Sequence, residues 1–413
     1  MSSTAVRFYA FVALFCLALA ASTGVLLRFG IIYGMPVWAQ DYTAVRHAHS
    51  HLMYFGWGTL GIMTLIWSML PELTGRRLPH GVHVQMALIC ILSLLSFPAF
   101  WQNGYGKTVV GSLELPLGSM AAAINGLPWF LFMILYARAT WRVPDRPLSL
   151  QLWDWACLLL LLASMGATAV GMQVALGVES AVLRDAALHL FLDVFAVGWF
   201  TLATLGLLWA RLRSRAGAPG WLPTQSMAIL LGVTFVLGMS PAVTPPSVFW
   251  IAAIANAAAA LLLARHVHAL WLRRQHLPAL VWFALAALGI DILIAFVILI
   301  PGLWRWSAGT QLRVFFLHTL LLGWMSSALL GLMLDALLAW PRPVLRWLGW
   351  VWMVGVGSML VALLGLGISQ FLVVTPVTWL KLAAVSSIAP AAVAIVAALG
   401  MFGALFTRTA DDG

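Results

Sequence analysis

Twelve apolar runs, each about twenty residues long and separated by short loops carrying Arg, Pro or Gly, occupy almost the whole of this 413-residue chain. A helix of about that length crosses a bilayer, and lipid allows little else, because every backbone N–H and C=O must find its partner within the segment. The runs predict helices over 8–29, 47–70, 82–101, 116–137, 151–177, 186–210, 222–240, 247–265, 278–302, 313–337, 345–368 and 379–406. The expected fold is therefore an all-α polytopic membrane protein, one transmembrane domain over 1–413. Only 8% of residues are charged, against about a quarter in soluble domains, which excludes a water-soluble fold. The formal charge of +10 comes from Arg in the loops. That is a topology signal: the expected partner is the lipid bilayer, and no nucleic acid is expected.

Lys and Arg counted by alternate loops number fifteen on the side holding both termini and seven on the other. This bias places the termini in the cytoplasm of a bacterial-type inner membrane. The first run resembles a secretory leader, but its length favours a retained helix. Helices 2, 6 and 10 then all begin at the outer face. Cys16, Cys90 and Cys157 fall inside apolar runs with no ligand-like spacing, and are expected to be packing or lipid-facing residues.

Histidine is costly in a bilayer and marks pathways or ligands there. His80, His83, His266, His268 and His276 lie in Arg-rich contexts at the cytoplasmic edge, where a solvated or headgroup-facing role is expected. The other five lie at the outer ends of helices 2, 6 and 10: His47, His49 and His51 in RHAHSHLMYFGW, His189 in HLFLDVFAVGW, and His318 in FFLHTLLLGW. The three helices align on Gly56-Trp57, Gly198-Trp199 and Gly323-Trp324. His51 and His318 then stand five residues before the glycine, with Asp193 at the same position of helix 6, while His47 and His189 stand nine before it. Positions four apart share a helix face, whereas His49 is turned about 200° from His47 or His51. This period-four repetition predicts a shared metal or haem site, with His47, His49, His51, His189, His318 and Asp193 as candidate metal ligands. Imidazole suits copper, zinc and iron, and haem iron commonly takes axial histidines. No CxxCH is present, so a haem would be b-type, held without covalent attachment. Trp57 and Trp324 could wall it, while Arg46, Arg313, Arg305 and Arg184 stand at the level where propionates would emerge. Asp193, one turn from His189, could orient that ring. Asp291, midway along helix 9, is either a proton-pathway residue or a protonated or hydrogen-bonded structural acid.

With these residues in view, the chain resembles the haem-copper oxidase superfamily, whose core subunit has twelve helices in three pseudo-repeats of four. The resemblance covers most of the chain as topology and is specific at the starts of helices 2, 6 and 10. It implies that His51 and His318 are axial ligands of a low-spin haem and that His189 faces a copper position. Phe316 stands where that family has a second helix 10 histidine, and helix 7 (LPTQSMAILLGVTFVLGMS) has no histidine, so a complete binuclear centre is not expected. The HAH of helix 2 and the later Pro71-Glu72-Leu73-Thr74-Gly75-Arg76 are also similar to the NnrS family of twelve-helix haem- and copper-containing membrane proteins, with Ser50 in place of that family's glutamate.

The function so implied is electron transfer or nitric oxide/oxygen handling by a membrane protein carrying haem b, with copper as a second cofactor. A quinone or redox protein is the expected electron partner and a small gas the expected ligand. An oxidoreductase activity would need an open coordination position near a second metal. The alternatives are a proton-coupled secondary transporter using Asp193 and Asp291, and a structural subunit of a respiratory complex.

Overall fold

The computed structural model describes residues 1–216 and 222–406. Arg408, one of the loop cations counted above, lies outside them. Among the described residues eleven helices are long and apolar enough to cross a membrane. They are α1 (Ser3–Tyr33), α2 (Tyr42–Thr74), α3 (Val82–Asn103), α4 (Leu117–Thr140), α5 (Leu148–Leu176), α6 (Ala181–Leu212), α8 (Pro246–Trp271), α9 (Ala279–Val297), α10 (Leu312–Leu337), α11 (Arg342–Gly367) and α12 (Pro376–Ala404). The twelfth run forms the shorter α7 (Gln225–Gly238), which is α-helical to Gly232 and tightens into a 3-10 turn over Thr234–Gly238. The helix expected over 222–240 is thus broken toward its C-terminal end. An antiparallel hairpin of β1 (Thr108–Val110) and β2 (Leu113–Leu115), absent from the sequence reading, follows α3.

The chain forms two compact units. The first comprises Met1–Ala139, Leu329–Gly365 and Leu372–Gly413. Within it α1 packs along α12, where Ala391, Ala394, Ala397 and Ala398 are buried and Phe11 meets Phe402 at 5.3 Å between ring centroids. Small side chains suit this contact, because helices in lipid gain little from apolar burial and associate through close packing and a few polar bonds. One such bond joins α2 to α3: Trp67 donates Nε1–H to Gln85 Oε1 at 2.9 Å, and Gln85 donates in turn to the Pro128 carbonyl of α4 at 3.4 Å. The Asp41 side chain caps α2 by accepting from Ala44 N, and Gly75 ends it in a left-handed conformation at φ +67°.

The second unit comprises Thr140–Ala328 and Leu366–Phe371. Here α5 packs on α6, α8 on α7 and α9, and α9 on the Thr319–Ser326 segment of α10. Ser180 caps α6 by accepting from Leu183 N. His266, expected to be solvated at the cytoplasmic edge, is fully buried in this unit. Trp209 donates Nε1–H to its Nδ1 at 3.2 Å, and its Nε2 donates to the Pro223 carbonyl at 2.7 Å. A histidine inside the packing is tolerated because both ring nitrogens are hydrogen-bonded.

Candidate functional site

Each of the three aligned helices contains a π-helical turn, and the three occur at one register: Leu52–Thr59 in α2, Val194–Phe200 in α6 and Thr319–Ser326 in α10. Each begins at the residue directly after the position five before the glycine, that is, after His51, Asp193 and His318. A π turn inserts one residue into a helix and turns the preceding side chains relative to those that follow, and such bulges collect at functional sites. Trp57, Trp199 and Trp324 lie inside these turns and are fully buried in the helix packing. The glycine beside each is explained by close approach in two cases. A side chain at Gly56 would run into Cys16 of α1, and one at Gly198 into Leu159 of α5.

The π turns also have a sequence signature that the reading above missed, a hydroxyl three residues after each glycine: Thr59, Thr201 and Ser326. The shifted hydrogen-bond ladder leaves carbonyls that a hydroxyl can reach five residues back. Thr59 donates to the Tyr54 carbonyl at 2.8 Å and Ser326 to the Leu321 carbonyl at 2.7 Å, while Ser327 donates to Leu322 at 3.0 Å. Thr201 makes no such bond, and its hydroxyl has no hydrogen-bond partner among the described residues.

In the first unit His47 and His51 share one face of α2, with ring centroids 6.2 Å apart. His51 is buried; its Nδ1–H donates to the His47 carbonyl at 2.8 Å, and its ring lies flat on Phe100 of α3 at 3.7 Å. With the proton on Nδ1, Nε2 carries the lone pair, and it accepts the Tyr105 hydroxyl at 2.8 Å. Tyr105 was not singled out from sequence. It follows Gly104, whose φ of +55° ends α3 and whose missing side chain lets the loop lie against Ala44 and His47. Although about half of Tyr105 is exposed, its hydroxyl points inward, and that desolvation pushes the phenol up to about 12. His49 faces the other way, its Nδ1 donating to the Ala20 carbonyl of α1 at 2.7 Å beside Gly24. Arg46 is exposed.

In the second unit four side chains form a connected polar group. His189 Nδ1–H donates to Asp193 Oδ2 at 2.8 Å, and Arg313 Nη2 donates to Asp193 at 3.0 Å from Oδ1 and 3.3 Å from Oδ2. His189 Nε2 lies 3.7 Å from Asp185, whose carboxylate also accepts from the Ser240 backbone N–H. Gly238 makes the group possible. A side chain there would overlap Asp193 and His189, and the 3-10 turn ending α7 lays this backbone against them while its carbonyl accepts from Arg313 at 3.4 Å. His318 donates Nδ1–H to the Val314 carbonyl at 2.8 Å, the same i−4 bond that His51 makes. Arg305 and Arg184 are exposed. Asp291 is about nine-tenths buried on the face that α9 turns inward, and neither of its carboxyl oxygens has a hydrogen-bond partner among the described residues. Those residues contain no group of three or more His, Cys, Asp or Glu disposed to hold a metal ion.

No protein-family model matches the chain, and a search of curated proteins finds no match. Among solved structures, a haem-copper terminal oxidase dimer determined by cryo-electron microscopy matches with a TM-score of 0.72 and 14% sequence identity, over 98% of this chain and 85% of that one. The chain is thus a multi-pass membrane protein with the haem-copper oxidase fold, as its helix order and its three repeated helix starts imply.

Proposed function

We propose that this chain is a b-type haem protein of a bacterial-type inner membrane that takes up and passes single electrons, with His51 and His318 as iron ligands. One observation carries the reading. His51 and His318 each donate Nδ1–H to the carbonyl four residues earlier, immediately before a π turn, which presents the Nε2 lone pair as the ligand atom. A haem bound there supplies a one-electron couple. The chain's own part is to fix the tautomer and direction of each imidazole, to provide an apolar wall at Phe100, and to keep exposed Arg46 and Arg305 for the propionates. Arg313 is already committed to Asp193 and suits that role less. A quinone or redox protein would exchange the electron.

Copper fits the residues less well. His189 Nδ1 and Asp193 are taken up by each other and by Arg313, so Asp193 acts to orient the ring. Gas handling would require a coordination position that two histidines on one iron do not leave open, so electron passage is the better-supported role.

The experiment is a reduced-minus-oxidised visible spectrum of protein produced with ample haem, for wild type, H51A and H318A, with circular dichroism to establish that each is folded. A b-type spectrum in the wild type and its loss in both folded variants is the expected result. A colourless wild-type protein would remove the haem reading altogether.

A further inference from the structure

The basic residues at the opposite end of the first unit have no part in the proposed haem chemistry. A cleft of about 440 Å³ opens there between the end of α2 and the start of α3, beside the start of α1. Arg77, His80 and His83 line it together with Leu78, Pro79 and Val82, and no acidic side chain is among its lining residues. His83 is held in place by Tyr9 of α1, whose hydroxyl lies 3.2 Å from Nδ1 and which is itself buried. Three membrane-spanning helices begin or end at this cleft, so it stands at the membrane–water boundary, the level of lipid phosphates. From His83 an exposed apolar stripe runs along α3 through Val84, Leu88, Ile91 and Leu95, 60%, 38%, 55% and 57% exposed, at the 3–4 residue spacing of a single helix face.

We propose that this cleft binds the phosphodiester headgroup of an anionic phospholipid, with an acyl chain lying along the α3 stripe. Arg77 offers a forked donor matched to phosphate oxygens, and the two imidazoles add N–H donors whatever their charge. The mixed lining suits a group that is charged at one end and apolar at the other. The stripe favours a lipid over a soluble anion, because inorganic phosphate would make no use of it. Basic clusters at this level attract anionic lipid by about 1 kcal/mol per Arg, or about fivefold in affinity.

The test is native mass spectrometry of the detergent-purified full chain with phosphatidylglycerol and with phosphatidylcholine of matched acyl chains, for wild type, R77Q and R77Q/H80Q/H83Q. Preferential retention of phosphatidylglycerol by the wild type, lowered about fivefold by R77Q and abolished in the triple variant, is the expected result. Equal retention of the two lipids, or an R77Q protein that binds like the wild type, overturns the proposal. Displacement of phosphatidylglycerol by inorganic phosphate also overturns it, since the site would then serve a soluble anion. Arg77 is exposed, so the single variant keeps the test valid if the triple variant does not fold.

Discussion

Arg313 donates Nη2–H to Asp193 at 3.0 Å, joining the first turn of α10 to the turn of α6 that precedes its π segment. Asp193 is buried, whereas the Arg313 side chain is 40% exposed. Removing the arginine therefore leaves a carboxylate buried beside only His189. We expect R313Q to destabilise the protein by about 2 kcal/mol, below the range for a fully buried pair because Arg313 is partly solvated. D193N/R313Q should lose less than the sum of the single variants. Thermal unfolding of all four proteins in one detergent measures the coupling, and strict additivity would mean that the pair contributes nothing.

Tyr105 holds the nitrogen that the haem proposal assigns to iron. Y105F removes the competing hydroxyl and should tighten haem binding by about fivefold, corresponding to one hydrogen bond of about 1 kcal/mol. Haem titration of the apoprotein checks this, and weaker binding by Y105F would make Tyr105 a supporting contact instead.

The same hydroxyl makes a pH prediction. A phenol raised from about 10 to about 12 contributes stability that is complete below pH 10 and lost as the pH rises through 12. At pH 11 the deficit of ionised tyrosine in the folded against the unfolded state, read as phenolate absorbance, should be about one residue larger in the wild type than in Y105F.

The π turns give a contrasting pair of substitutions. T59V strips the hydroxyl from the Tyr54 carbonyl inside a buried turn and should cost about 1–2 kcal/mol. T201V, at the matching position of α6, removes a hydroxyl with no partner and should be neutral or stabilising. Equal losses in thermal unfolding would show that the i−5 bond does not support the turn.

Asp291 provides the last test. Burial of a carboxyl without a hydrogen bond is unfavourable, so D291L, branched at the same carbon and apolar, should raise thermal stability by about 1–3 kcal/mol. A loss instead would mean that the acid has a partner in the membrane, and a carboxyl band in infrared difference spectra that disappears in D291N would identify it.

Much of this architecture can be read directly from the residues. The apolar runs determine the helices, because lipid permits a spanning backbone no other way to satisfy its polar groups. The Gly-Trp alignment locates the three special helix starts, and the 100° step between residues separates His49 from the face that His47 and His51 share. Local periodicity carries all of this. What only tertiary structure decided depends on groups brought together from distant positions. Asp193 and Arg313 are 120 residues apart, Tyr105 reaches His51 from 54 residues away, and His266 finds its carbonyl 43 residues upstream. The break in α7 has the same origin: Gln225–Gly238 is apolar enough to continue as a helix, but Gly238 must bring its backbone against Asp193 and His189, and that close contact exists only once α6, α7 and α10 have packed.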